Sequence, residues 1–294
     1  MSALADLREK YGIEFKKSLG QNLLLDDNIN RIMTDAASIT HSDDVIEVGA
    51  GLGALTGRLC KHAGRLLAVE IDRTFMPCLE DQFGKLPNVR LFRGDILNHS
   101  VPKLLGEYIP GGTVYKMVSN LPYYITTPIL FHFWESPVYF ERMVVMVQEE
   151  VGMRMGAPVG AHDYGVLSLA AQYYSHVDIV HKVPNTCFQP RPKVHSCIVR
   201  LRNRPGQRFE GVETEFLFSI IRAAFSQRRK TLRNSLTRSG NFGAPQEAVM
   251  DALDATGIDP GRRPQSVSLD EFAALAAAIG ERIGGAGTER GRNA

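Results

Sequence analysis

Asp44-Val45-Ile46-Glu47-Val48-Gly49-Ala50-Gly51-Leu52-Gly53-Ala54-Leu55-Thr56 is the stretch that decides the fold. Val45–Val48 is a short apolar run broken only by Glu47, the pattern of a strand buried on both faces. Glycines at 49, 51 and 53 follow at once. Glycine lets the backbone turn sharply and approach a ligand at a helix N-terminus. A strand that runs into such a loop is the opening unit of an open α/β sheet, with its ligand beyond the C-terminal strand ends.

Further apolar runs occur at Leu66–Val69, Val89–Phe92, Tyr115–Val118 and Met143–Val147, spaced by helical patterns. That alternation predicts right-handed crossovers and a mainly parallel sheet covered on both faces. Val177–Val180 and Ser196–Val199 leave little room for a helix between them, so they are expected to pair antiparallel at one sheet edge. Asn203-Arg204-Pro205-Gly206 reads as a domain boundary. Beyond it only helical patterns occur. Leu217, Ile221 and Phe225 form a buried stripe, and Leu232 and Leu236 restart it. Glu247–Thr256 and Leu269–Ile279 follow, with Gly257 and Gly280 at stop positions. The expected organisation is an α/β domain over 1–203, a small all-α domain over 204–283 and a disordered tail over 284–294.

Of the 294 residues, 44% are hydrophobic and 22% charged, which excludes whole-chain disorder. No stretch approaches ~18 consecutive apolar residues, so no membrane span is expected. The first residues lack a basic region followed by an apolar run, so export is not expected. Four cysteines without a CxxC pair read as reduced thiols of a cytoplasmic protein. The eight histidines show no metal spacing, so no metal is assigned, and a monomer is the expected state. Between Thr186 and Gly240 twelve basic residues face three acidic ones. This segment therefore carries +9 of a total of +2, leaving −7 on the rest. It can serve a phosphate backbone, or be a solvated basic face.

Glu70 closes the second run, where a carboxylate can accept both hydroxyls of a ribose. Asp95 and Ile96 follow the third, where a carboxylate or an amide can meet an adenine edge. Gly49-x-Gly51-x-x-Ala54 also fits the dinucleotide pattern, so the loop alone leaves a NAD-dependent dehydrogenase and an S-adenosylmethionine (SAM) methyltransferase open. The fourth run ends in Ser119-Asn120-Leu121-Pro122-Tyr123-Tyr124. Pro122 holds the turn open, so Asn120 Oδ1 and the Leu121 carbonyl can face one guest. Two acceptors on the N–H bonds of an adenine amine favour a pyramidal nitrogen with a localised lone pair, and no strong base is needed. Tyr123 offers a stacking platform and Phe188 an opposite wall, at ~1–3 kcal/mol per stacked base. The alternative is that Tyr123, Tyr124 and Phe188 are core or rim aromatics.

Asn120-Leu121-Pro122-Tyr123 resembles the (N/D)-x-P-(Y/F) motif of amino-group methyltransferases acting on adenine. With Glu47–Thr56, Glu70-Ile71-Asp72 and Gly94-Asp95-Ile96, the chain resembles the ribosomal RNA adenine N6,N6-dimethyltransferase family. Lys17–Leu24, Asp163–Ser168, Phe188–Val194 and Phe225–Leu236 narrow this to its small-subunit (KsgA-type) branch. The resemblance covers about Lys16 to Ala278. It implies a Rossmann-like methyltransferase sheet, a small helical domain, SAM as methyl donor, and dimethylation of two adjacent adenosines near the 3′ end of 16S rRNA. It further implies a cofactor site lined by Asn22, Leu24, Gly49, Glu70, Asp95 and Asn120, to which Gly51 of the glycine loop and Ile96 after the third run are expected to contribute. Arg191, Lys193, Arg228, Arg229, Lys230 and Arg233 are the expected RNA contacts. Tyr124 stands where family members often have Asn, and Ala50 where they often have Pro. A large-subunit rRNA methyltransferase shares the sheet motifs but not Phe188–Val194 or Phe225–Leu236. An RNA-binding assembly factor is the reading from another class.

Overall fold

The computed structural model describes residues 3–13, 22–24, 26–227, 229–238 and 242–289. Its strands are β1 (Leu23–Leu24), β2 (Asp44–Val48), β3 (Arg65–Glu70), β4 (Val89–Arg93), β5 (Tyr115–Asn120), β6 (Phe140–Gln148), β7 (Ser175–Val183), β8 (Phe188–Gln189) and β9 (Ser196–Asn203). Its helices in the first half are α1 (Ala3–Lys10), α2 (Asp27–Ala37), α3 (Thr56–Leu59), α4 (Met76–Phe83), α5 (Val101–Tyr108) and α6 (Thr126–Trp134). Then come α7 (Glu149–Met155), α8 (Val166–Tyr174), α9 (Thr214–Phe225), α10 (Leu232–Arg238), α11 (Gln246–Ala255) and α12 (Leu269–Glu289). None is long and apolar enough to cross a membrane among the described residues.

Contacts divide the chain into two units, Met1–Met153 with Tyr174–Pro205, and Arg154–Tyr173 with Gly206–Ala294. The sequence assigned Arg154–Tyr173 to the sheet domain; its contacts put it with the C-terminal helices. Tyr164 explains why: its ring is fully buried, its hydroxyl donates to Val267 O at 3.1 Å, and it packs edge-on against Phe225. Tyr173 and Thr214 add a 2.7 Å hydroxyl contact.

The first unit is a seven-stranded sheet in the order β4-β3-β2-β5-β6-β9-β7. The five central and left-hand strands are parallel, and β9 runs antiparallel between β6 and β7. The short connection from β7 to β9 leaves no other sense of pairing. A two-residue ladder, Leu23↔Gln189 and Leu24↔Phe188, joins β1 to β8; strands this short leave no periodicity to read. The chain builds β3 and β4 to one side of β2 and β5 and β6 to the other, so the order reverses between β2 and β5, where an open sheet forms its ligand crevice.

Helix α2 covers this sheet with Ile29, Met33, Ala36 and Ala37, one face at helical spacing. Lys116 Nζ grips its end at Ser38 O, 3.0 Å, while paired to Asp43 at 2.9 Å, and Arg142 Nη1 reaches Ala36 O and Ala37 O at 3.4 and 3.3 Å. Cations suit the negative end of a helix.

In the second unit α9 buries Leu217, Phe218, Ile220 and Ile221, and α12 buries Phe272, Leu275 and Ile279. Glu271 takes a two-nitrogen grip from Arg262 and a 2.7 Å bond from Ser268 N, which hold its carboxyl at about 2. The stop expected at Gly280 is absent: α12 continues to Glu289. Glycine weakens a helix interior by roughly 0.5–1 kcal/mol but does not terminate it. Of the expected disordered tail, residues 290–294 lie outside the described ones.

Candidate active site

The crevice at the β2/β5 reversal is a cavity of about 890 Å³ of open space including its mouth. Its wall comes from the glycine loop, the ends of β3 and β5, and the segment around β1. Gly49 adopts φ +82°, a conformation that L side chains avoid, and its N–H donates to Val69 O at 2.8 Å. Gly53 has φ +85°, and a Cβ there would lie 2.3 Å from the Phe83 ring. The loop thus closes against α4 while its backbone faces the cavity.

Glu70 is buried at the end of β3, and its two oxygens accept Gly51 N at 2.7 Å and Asp72 N at 2.8 Å. Burial raises its pKa, and the backbone N–H groups of Asp72, Gly51 and Ile71 oppose that. Carboxylate oxygens accept more than one hydrogen bond each, so acceptor capacity remains for hydroxyl donors.

Asn120 ends β5 and lines the cavity. Leu121 N donates to Met146 O at 3.2 Å and Thr126 Oγ1 to Pro122 O at 3.0 Å, so the turn is tied on both sides. Neither the Asn120 side-chain amide nor the Leu121 carbonyl has a hydrogen-bond partner among the described residues. Tyr123 follows, with its hydroxyl 2.6 Å from Ser196 Oγ; burial pushes its pKa up. Tyr124 stands at the rim, 50% exposed, in the field of Asp95 and Glu70.

Asn22, Leu24, Gly49, Gly51, Glu70, Asn120, Leu121, Pro122 and Tyr123 are therefore brought to one cavity. Three expected residues are not. Phe188, expected as an open wall for a base, is 3% exposed and packs in the core beside Leu24, because β8 pairs with β1. Asp95 caps a short turn, its Oδ1 accepting Leu97 N at 3.0 Å, and Ile96 is buried. Neither is among the residues that line the cavity.

Arg191 is exposed, with Nε on Asn185 Oδ1 at 3.1 Å. Lys193, Arg229, Lys230 and Arg233 are exposed too. Arg228 lies outside the described residues, as do Lys17–Gln21 of the quoted motif.

Several further residues line the cavity without a clear signal in the sequence. Glu47 is 1% exposed, accepts Thr56 Oγ1 at 2.6 Å and is pushed up to about 8, first by burial and further by Glu70. A carboxylate inside an apolar strand run was its signal. Asn30, buried on α2, had none beyond being polar on an apolar face. Ile71, Leu52, Phe75 and Tyr124 also line the cavity; Ile71 is flagged only by following the expected ribose carboxylate.

A model of the family described as ribosomal RNA adenine dimethylase matches residues 12–279. The chain is 43% identical over 275 residues to a Bacillus cytotoxicus protein named ribosomal RNA small subunit methyltransferase A, covering 93% of this chain and 94% of that one. A Bacillus mycoides protein of the same name is 44% identical over the same length. Among solved structures, a dimethyladenosine transferase from Plasmodium falciparum has the same fold, with TM-score 0.75 and 24% identity over 89% of this chain and 98% of that one. The 23S rRNA methyltransferase ErmE superposes with TM-score 0.63 and 27% identity, covering 88% and 99%.

Proposed function

This chain belongs to the ribosomal RNA adenine dimethylase family, and from that membership we propose how its crevice works. The chain is a small-subunit rRNA adenine dimethyltransferase. The substrate is two adjacent adenosines near the 3′ end of 16S rRNA, and the methyl donor is SAM. The fit of that donor is supported by this chain's own groups. Gly49 brings bare backbone to the cavity, Glu70 keeps acceptor capacity for ribose hydroxyls, and Asn22 and Leu24 line the same cavity. When bound, SAM supplies a methyl on a positively charged sulfur, open to a nitrogen lone pair.

The chain supplies position. Asn120 Oδ1 and the Leu121 carbonyl accept the N–H bonds of the extruded adenine amine, two before the first methyl transfer and one before the second. That grip favours a localised lone pair on N6, which is otherwise spread into the ring. The proton released from the methylated nitrogen goes to water, so no Ser/His/Asp-type set is called for. Tyr123 stacks on the base, with its ring angle fixed by Ser196. Holding reactants in line accounts for most of such a rate. Arg191, Lys193, Arg229, Lys230 and Arg233, with Arg228, meet RNA phosphates.

The observation that carries the reading is the unpartnered Asn120 amide beside the unpartnered Leu121 carbonyl at the cavity wall. It is tested by incubating the protein with labelled SAM and small subunits that lack the modification, then mapping the product by mass. Label on two adjacent 16S adenosines supports it. Label on large-subunit RNA, or none while the protein still binds subunits, contradicts it.

A further inference from the structure

The parallel ladder between β2 and β5 ends at Ile46↔Met117. Yet β2 stays paired to β3 through Val48↔Val69, and β5 to β6 through Asn120↔Met146. The two strands part where the sheet order reverses, and the cavity opens there. Along a strand successive N–H groups point to opposite sides. Gly49 N–H goes to Val69 O on the β3 side, at 2.8 Å. The preceding N–H, that of Val48, therefore faces β5, where the ladder no longer offers a carbonyl. Ser119 Oγ accepts it at 2.9 Å. Both partners are buried, Ser119 fully.

Val48 and Ser119 immediately precede Gly49 and Asn120. The loop and the turn are packed closely: a Cβ on Gly49 would lie 3.6 Å from Asn120 O and 3.6 Å from Pro122 Cδ. One side-chain bond thus spans the split between the strand that leads into the glycine loop and the strand that carries the acceptor pair. We propose that Ser119 is a positioning residue, whose hydroxyl sets the spacing between the loop holding the methyl donor and the turn holding the adenine amine. This rests on the reading of the site given above. A serine at this place is not required by the sheet, because an apolar residue fits a strand buried on both faces equally well. What it adds is an acceptor for the Val48 N–H, which the splayed ladder leaves without a carbonyl, and an unpaired buried donor is costly enough to pull the backbone elsewhere.

The test compares Ser119→Ala, Ser119→Thr and, as a control, Ser175→Ala. Ser175 is an equally buried serine, bonded to Asn203 Oδ1 at 2.5 Å at the far end of the outer strands. Single-turnover methyl transfer to unmodified small subunits is read beside SAM affinity, subunit affinity and melting temperature. The expected result for Ser119→Ala is a rate loss of ~10-fold or more with both affinities nearly unchanged, the signature of misplacement rather than lost binding. Ser119→Thr, which keeps the oxygen, recovers most of the rate, and Ser175→Ala leaves it intact at a similar loss of melting temperature. The proposal is overturned if Ser119→Ala transfers at the wild-type rate, or if Ser175→Ala slows transfer as much for the same destabilisation. A wild-type protein that transfers no methyl at all removes the reading of the site, and the proposal with it.

Discussion

The hydroxyl of Tyr123 lies 2.6 Å from that of Ser196, so the turn after β5 is bonded to the first residue of β9. This joins the expected stacking ring to a fully buried anchor on a strand that the chain reaches 73 residues later. Tyr123→Phe and Ser196→Ala should each lower kcat/KM a few-fold, and the double variant should do no worse than either. The coupling expected from a cycle is ~0.5–1.5 kcal/mol, the worth of one neutral hydrogen bond. Tyr123→Ala removes the ring as well and should cost a further ~1–3 kcal/mol in RNA binding or transfer. Strictly additive effects would mean that the pair does not act as a unit.

Gly53→Ala should destabilise the fold. The residue needs φ +85°, and its Cβ would meet the Phe83 ring at 2.3 Å. Left-handed backbone at a non-glycine residue costs of order 1–3 kcal/mol before the clash is counted. Urea unfolding would read the change; a midpoint equal to wild type would show that loop and α4 part easily.

Glu47 makes stability depend on pH. Its folded pKa, about 8, lies above its ordinary 4.5. Between those values the folded state holds the proton that the unfolded state has released, so stability falls as pH rises through the window and levels off above it. Glu70 shifts in the same direction. The melting temperature of ligand-free protein should fall from about pH 4.5 to about pH 8, and Glu47→Gln should flatten that slope in part. An unchanged slope would place the titration elsewhere.

Arg229, Lys230 and Arg233 are exposed and have no carboxylate within bridging distance among the described residues. Changing each to Gln should weaken subunit binding and flatten its salt dependence by roughly 0.7–0.9 log units per phosphate contact removed. A slope that stays at the wild-type value returns them to a solvated face.

The sheet was legible because its strands are continuous apolar runs punctuated by loops, and the crevice followed from where the glycines and Asn120 fall. The reversal of strand order then puts Gly49, Glu70 and Asn120 together without further information. Less was legible where contacts are not local. Phe188 carries the same sequence signal whether it faces a base or the core, and only the β1–β8 pairing decides. The stretch around Tyr164 has no pattern that announces which unit buries it. Glu47 stood inside the decisive stretch itself, but a buried carboxylate is recognised by its surroundings, not by its neighbours in the chain.

Methyl transfer in this chain depends on the acceptor pair at Asn120 and Leu121. The most direct measurement of that dependence is single-turnover methyl transfer by Asn120→Ala on unmodified small subunits, with subunit binding read in parallel. Loss of one preorganised polar group at a reacting centre is worth ~10²–10³ in rate. The expected result is a fall of that order with subunit affinity nearly unchanged. A variant that still transfers methyl at close to the wild-type rate, or one that loses transfer and binding together, contradicts it.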